Sequence, residues 1–237
     1  MVIPQILYED NHLLVAVKLA GILSQEDITG APDMLTILKA YLRETYNKPG
    51  EAYLGLLHRL DRPVAGVMVF AKTSKCASRI SAQIRERKMD KKYRAVVRGV
   101  PEKEEDTLRS YLLKDPEKNQ VTVFPASQME SVPQGAKEGI LIYNKVKDAL
   151  REGPGGTRRI SLLEVQLITG RSHQIRAQLS DAGYPILGDR KYGPDDNVYR
   201  GEICLESFSL SFFHPITGEK MLFEQPISTE DPWCLFK

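Results

Sequence analysis

His58-Arg59-Leu60-Asp61-Arg62-Pro63, running through Gly66 into Val67-Met68-Val69-Phe70, sets one carboxylate among two guanidinium groups and an imidazole just ahead of an apolar run. Val67 to Ala71 is apolar on both faces, as a central strand of a sheet should be. An aspartate among cations is expected to stay ionised at neutral pH, which suits it to act as a nucleophile, base or electrostatic partner. At the edge of a rigid strand it would hold its geometry. The same residues also fit a structural Asp–Arg pair steadying a turn.

Upstream, Ile6 to Tyr8 and Leu13 to Val17 read as short strands around a polar turn at Glu9-Asp10-Asn11. Asp33 can cap a helix in which Leu35, Leu38 and Leu42 share one face, ending near Asn47-Lys48-Pro49-Gly50. Downstream, Thr73 or Ser74 can cap a helix through Lys88, with Cys76, Ile80 and Ile84 inward and Arg85, Arg87 and Lys88 wet. In the next strand Tyr93, Ala95 and Val97 alternate with Arg94 and Arg98, which puts Tyr93 on the apolar side. Leu163, Val165 and Leu167 alternate likewise with Glu164 and Gln166. Ser207 to Phe213 and Lys220 to Glu224 flank the turn at Pro215 to Glu219 as a hairpin. Lys114 to Gln120, Gln128 to Glu138 and Arg151 to Gly156 read as loops or turns. Strands with interspersed helices, without strict βαβ alternation, predict an α+β fold with a mixed, mostly antiparallel sheet and flanking helices.

A second charged cluster lies over a hundred residues downstream of Asp61. Thr169 to Leu179 reads as a turn feeding a helix: Gly170 supplies the turn, Ser172 can cap, and Gly183 ends the helix after Ala182. Ile175, Leu179 and Ala182 make its buried stripe. His173 and Arg176 share a different face, cationic and at the positive end of the helix dipole, where a carboxylate or a phosphate can be held.

Composition sets limits. With 237 residues, 42% hydrophobic and 27% charged, the chain has the balance of an ordinary globular protein with an ample core. No apolar run reaches the ~18 to 20 residues of a membrane span, so no membrane association is expected. The start, Met1-Val2-Ile3-Pro4-Gln5, lacks the features of a signal peptide. Cys76, Cys204 and Cys234 are scattered without metal-type spacing, which predicts reduced thiols in a cytoplasmic protein. The four histidines, at 12, 58, 173 and 214, are equally dispersed, so no metal site is expected. The net charge of +2 is mild but uneven: Lys72 to Arg98 holds ten basic residues against two acidic ones. Such a stripe is the footprint expected for phosphate contacts, and it also fits a solvated helix face. No Gly-rich phosphate loop is present, since Gly153 with Gly155-Gly156 lacks the strand–turn–helix setting.

Three groups of residues together resemble the motifs of the RluA family of RNA pseudouridine synthases. They are His58-Arg59-Leu60-Asp61-Arg62 through Gly66, Lys92-Tyr93-Arg94-Ala95-Val96-Val97-Arg98-Gly99, and Thr169-Gly170-Arg171 with His173-Gln174-Ile175-Arg176. Ile6-Leu7-Tyr8-Glu9-Asp10, Pro185 to Asp189 before Lys191-Tyr192-Gly193, and His214-Pro215 before Thr217-Gly218-Glu219 extend the likeness over nearly the whole chain. The resemblance implies a pseudouridine synthase fold, a sheet bent across two subdomains with a central catalytic cleft, in one catalytic domain over 1–237. The S4 RNA-binding domain of many relatives is not expected, because the core begins by about Ile6.

What the resemblance implies chemically is isomerisation of uridine in rRNA or tRNA, with RNA as partner, no cofactor and a monomeric enzyme. Asp61 would act at the ribose, Arg176 would pair with Asp61, and Tyr93 would stack on the base and help remove the C5 proton. Arg59, Arg62, His58, Arg171, His173, Lys92, Arg85, Arg87 and Lys88 would bind substrate. Some positions depart from the family pattern: Val64-Ala65 where a hydroxyl is usual, Leu19 for the proline after Lys18, and Leu205-Glu206-Ser207 for Leu-His-Ala. Two other readings remain on the residues: an inactive RNA chaperone on this scaffold, and a carboxylate-based hydrolase of sugar substrates. Intact Asp61, Tyr93 and Arg176 weigh against the first. The second needs another acid at a suitable distance, and none is linked by motif to Asp61.

Overall fold

A computed structural model describes residues 3–47, 49–153, 156–194, 199 and 201–237. The chain divides into two compact units: Met1–Lys91 with Ser207–Pro226, and Lys92–Glu206 with Ile227–Lys237. Every strand pair of known register is antiparallel, and helices are few, so the class is the expected α+β.

In the first unit, β1 (Ile6–Glu9) pairs with β2 (Leu13–Lys18), β2 with β4 (Ala65–Ala71), and the short β3 (Gly55–Leu56) also with β4. The turn between β1 and β2 closes because the Asp10 carboxylate accepts the N–H groups of His12 and Leu13 at 2.7 and 2.6 Å. From Gly66 onward β4 is wholly buried, as a run apolar on both faces requires. Its Val67 and Val69 pack with Leu13 and Val15, with Leu210 and Phe212 of β10 (Leu205–Phe213), and with Ile80 of α2 (Ser74–Arg85). Strand β10 neighbours β4 and forms the expected hairpin with β11 (Lys220–Glu224). Gly66 makes this packing possible. At φ 139° a Cβ there would stand 2.4 Å from the Ser207 carbonyl oxygen, so no other residue lets β10 come so near.

Two helices of this unit begin on side-chain caps. Asp33 accepts the N–H of Thr36 for α1 (Met34–Thr45), and Thr73 accepts that of Cys76 for α2. The buried stripe of α1 is Met34, Ile37, Leu38 and Leu42; Leu35, expected in it, is only half-buried. Helix α2 stops at Arg85, three residues before the expected end. Arg87 takes a left-handed φ of 56°, which the helix cannot continue, so Lys88 lies beyond it.

The second unit is an antiparallel sheet with the strand order β5-β9-β8-β6-β7. These are β5 (Asp90–Arg98), β6 (Glu105–Asp115), β7 (Gln120–Pro125), β8 (Lys137–Arg151) and β9 (Arg158–Leu167). Lys114 to Gln120, read as a loop, is the tight end of the β6–β7 hairpin: Asp115 opposes Gln120, and its carboxylate accepts the N–H groups of Glu117 and Lys118. Gln128 to Glu138, also read as a loop, is shorter than expected, because a 3-10 turn covers Ala126–Ser131 and β8 begins at Lys137. Within the turn expected at Arg151 to Gly156, Pro154 and Gly155 lie outside the described residues. Helix α3 (Gln174–Asp181) ends as expected, with Ala182 as C-cap and Gly183 at φ 86°. Its start differs. His173, at φ 51°, is the N-cap residue and gives no side-chain cap, so Ser172 does not cap.

Candidate active site

In the first unit Asp61 stands in the loop between β3 and β4, with Arg59 and Arg62 exposed on either side. The backbone around it is tied down at several points. The buried Ser24 hydroxyl donates to the Leu60 carbonyl at 2.8 Å and accepts the Leu60 N–H at 3.0 Å. The Arg62 carbonyl accepts from Gly21 N–H and from Lys18 Nζ, both at 2.9 Å, while Arg62 Nε donates to the Gly21 carbonyl at 3.1 Å. Val64 N–H closes the turn onto the Asp61 carbonyl at 3.0 Å. A carboxylate carried on so constrained a backbone is placed before substrate arrives, which is what an orientation-dependent reaction needs.

Two bases, one wholly and one partly buried, brace this loop. Lys18, at the end of β2, is 0% exposed, and its Nζ donates to the carbonyls of Leu19 and Arg62. Burial pushes its ammonium down to about 8, against the field of Asp61, which raises it. The imidazole of His58 accepts the Val69 N–H of β4 at Nε2, at 3.2 Å, so the ring hydrogen sits on Nδ1. Burial first, then the charge of Lys91, pushes His58 down to about 3. It is therefore neutral and extends the β3–β4 pairing, and the positive charge of this motif comes from arginine and lysine.

In the second unit Tyr93, 7% exposed, lies on β5 opposite Val165 of β9, on the face it shares with the buried Ala95 and Val97, as expected. Lys92 is exposed beside it. Helix α3 differs from its expected cationic face, because Arg176 is buried. Its Nε and Nη2 donate to the two oxygens of Asp189, both at 2.8 Å, with side-chain exposures of 8% and 1%. This is the two-pronged geometry that a guanidinium offers a carboxylate. Burial works to raise the Asp189 carboxyl, but the Arg176 fork and the N–H groups of Lys191 and Tyr192 outweigh it and hold the group below its ordinary value. The anion that the helix start was expected to hold is, in part, this carboxylate of the chain itself.

Tyr192 extends the cluster. Its hydroxyl accepts the Val121 N–H at 2.8 Å and lies 2.7 Å from His173 Nδ1, and the Arg176 guanidinium stands 5.3 Å over its ring. Arg171, exposed, donates from Nε to the Glu138 carbonyl, and the Gln174 side chain accepts the Arg171 N–H at 3.0 Å.

A buried Arg–carboxylate pair, a constrained aspartate and a strand tyrosine occur in the motif order of a known family, and the sequence profile described as RNA pseudouridylate synthase matches residues 12–181. The chain belongs to the RluA family of RNA pseudouridine synthases. It is an enzyme of the class that isomerises uridine in RNA to pseudouridine. It is 31% identical over 239 residues to the tRNA pseudouridine synthase C of Vibrio parahaemolyticus, covering 97% of this chain and 92% of that one. It is also 31% identical to the dual-specificity RNA pseudouridine synthase RluA of Haemophilus influenzae, covering 92% and 90%. The structure of human RNA pseudouridylate synthase domain containing 1 matches 94% of this chain and 83% of that chain, with a TM-score of 0.73 at 21% identity. That likeness shows the fold.

Within this RluA-family chain, sequence reasoning missed Asp189, Tyr192 and Ser24. The first two lay in quoted motif stretches, and a carboxylate 13 residues after a helical arginine gives no periodic signal. Ser24 sits in an irregular segment, where one hydroxyl looks like any other. The basic stripe is smaller than its sequence suggests. Arg85, Arg87 and Lys88 are exposed at the end of α2, but Lys88 forms a 2.7 Å ion pair with Glu86.

Proposed function

We propose that this enzyme isomerises uridines of structured tRNA or ribosomal RNA, with Asp61 as the catalytic carboxylate and Tyr93 and Arg176 serving the same turnover. The observation that supports this most is the bracing of the Asp61 backbone from both neighbours, Leu60 and Arg62. The reaction breaks the N1–C1′ bond, turns the uracil and joins its C5 to C1′ of the same ribose; the C5 proton is then lost and N1 gains one. No electrons are gained or lost overall. Asp61 acts at the sugar, and Arg176 keeps the site's charge balanced. Tyr93 supports the base and relays the C5 proton. The target base must leave its stack, so loop or flipped uridines are the natural substrates. Arg59, Arg62, Lys92, Arg171, Arg85 and Arg87 supply phosphate contacts.

Tritium release from C5-labelled tRNA and ribosomal RNA, with mapping of the pseudouridines formed, tests the activity and its substrate. Release from neither RNA overturns the reading. Tyr93→Phe keeps the ring and removes the hydroxyl. Its expected effect is slowed proton release with glycosidic cleavage retained, and equal small losses in both steps would leave Tyr93 as a stacking surface only.

A further inference from the structure

We infer that Ser24 is a positioning residue for the reaction: its hydroxyl fixes the peptide immediately before Asp61, and through it the irregular segment 19–33 buttresses the carboxylate. This rests on the assignment of Asp61 as the catalytic group. The Ser24 side chain is buried and makes a two-way contact, donating to the Leu60 carbonyl and accepting the Leu60 N–H, 36 residues away in sequence. A hydroxyl bonded to both polar groups of one residue fixes that residue's place and its rotation about the chain. Leu60 is itself buried, so it cannot move aside, and Asp61 follows directly.

Ser24 is held from behind. Leu23 N–H donates to the Pro32 carbonyl at 3.1 Å, and Met34 N–H donates to the Leu23 carbonyl at 2.8 Å, a bridge that abuts the first turn of α1. The Ser24 hydroxyl also lies 3.9 Å from the Met68 sulfur, on the face of β4 opposite Val67 and Val69. The line of support therefore runs from α1 through Leu23 and Ser24 to Leu60 and Asp61. It is separate from the Lys18 and Gly21 contacts, which reach Arg62 on the other side. Ser24 touches Asp61 only through the backbone, so removing its hydroxyl should shift the carboxylate without removing any RNA contact.

The test is steady-state kinetics on tRNA or ribosomal RNA with Ser24→Ala, Ser24→Thr and Thr73→Ala. Thr73 caps α2 in the same unit, at the end of the helix remote from Arg85 and Arg87. Ser24→Ala is expected to lower kcat about tenfold or more, the scale on which small misplacements of a reacting group act, with KM unchanged. Ser24→Thr, which keeps the hydroxyl, should restore most of the rate, and Thr73→Ala should turn over like the wild type. A wild-type kcat in Ser24→Ala, a loss carried by KM, or an equal loss in Thr73→Ala would overturn the role. If Ser24→Ala does not fold, Ser24→Cys takes its place: a reduced kcat is expected, and a wild-type kcat overturns the role. Asp61→Asn assayed alongside separates the two readings. An active Asp61→Asn refutes the catalytic assignment, whereas an inactive Asp61→Asn beside a fully active Ser24→Ala refutes the brace alone.

Discussion

Lys18 shows how a single side chain can work against folding while bonding the backbone of the Asp61 loop. A buried ammonium pushed down to about 8 from an ordinary 10.5 lowers folding stability by about 3 kcal/mol below pH 8. Between pH 8 and 10.5 the unfolded chain binds the proton more tightly than the folded one, so stability from this group rises with pH across that window. Lys18→Met removes the charge and also the donor to the Leu19 and Arg62 carbonyls. Urea unfolding of the variant is expected to show stability at pH 7.5 within about 1 kcal/mol of wild type or above it, and to lose the upward slope between pH 8 and 10. A variant that keeps the slope would place the titration on another group. Arg176 is the opposite case, a buried charge that bonds both carboxylate oxygens of Asp189. Arg176→Lys gives up the paired geometry, because an ammonium is a point donor and cannot span both carboxylate oxygens. A stability loss on the order of 3 kcal/mol and a large fall in turnover are expected from chemical denaturation and tritium release. Wild-type values in both would reduce Arg176 to a peripheral residue.

The elements were legible in sequence where burial is one-sided or complete. Strand β4 announced itself because apolar residues fill both faces, and α2 because Thr73 precedes a stripe that ends in Cys76, Ile80 and the half-buried Ile84. Strands β6 and β8 gave little signal, because most of their residues are exposed or half-buried and the apolar alternation is weak. Helix α3 misled for the reverse reason. Gln174, Arg176 and Gln178 are buried, and polar residues on an inward face read in sequence as a wet one. Of the candidate site, the placement of Tyr93 on the buried face of its strand was legible, while the partners that hold Arg176 and the Asp61 loop were not. Those partners act through backbone groups and across long separations, as Ser24 does on Leu60. At the end of α2, neutralising Arg85, Arg87 and Lys88 together should weaken RNA binding and flatten its salt dependence. With Lys88 partly matched by Glu86, the two arginines are expected to dominate, reducing the log–log slope by roughly 1.4 to 1.8. Filter binding from 50 to 200 mM salt reads this directly, and an unchanged slope would make the stripe a solvated surface.

For the whole molecule, the chain builds two antiparallel units, and β5 and β10 each supply residues to both. Asp61 belongs to the first unit, and Tyr93 and Arg176 belong to the second. No helix among the described residues is long and apolar enough to cross a membrane. The proposed chemistry rests on one residue, and Asp61→Asn tests it most directly, because the amide keeps the shape and removes the charge and basicity. The measurement is pseudouridine formed on bulk tRNA and ribosomal RNA by the purified variant, beside its RNA affinity and its unfolding midpoint. Turnover should fall by about a thousandfold or more, with affinity and midpoint near those of wild type. Pseudouridine formation by Asp61→Asn above about a tenth of the wild-type rate would contradict the assignment of the chemistry to this carboxylate.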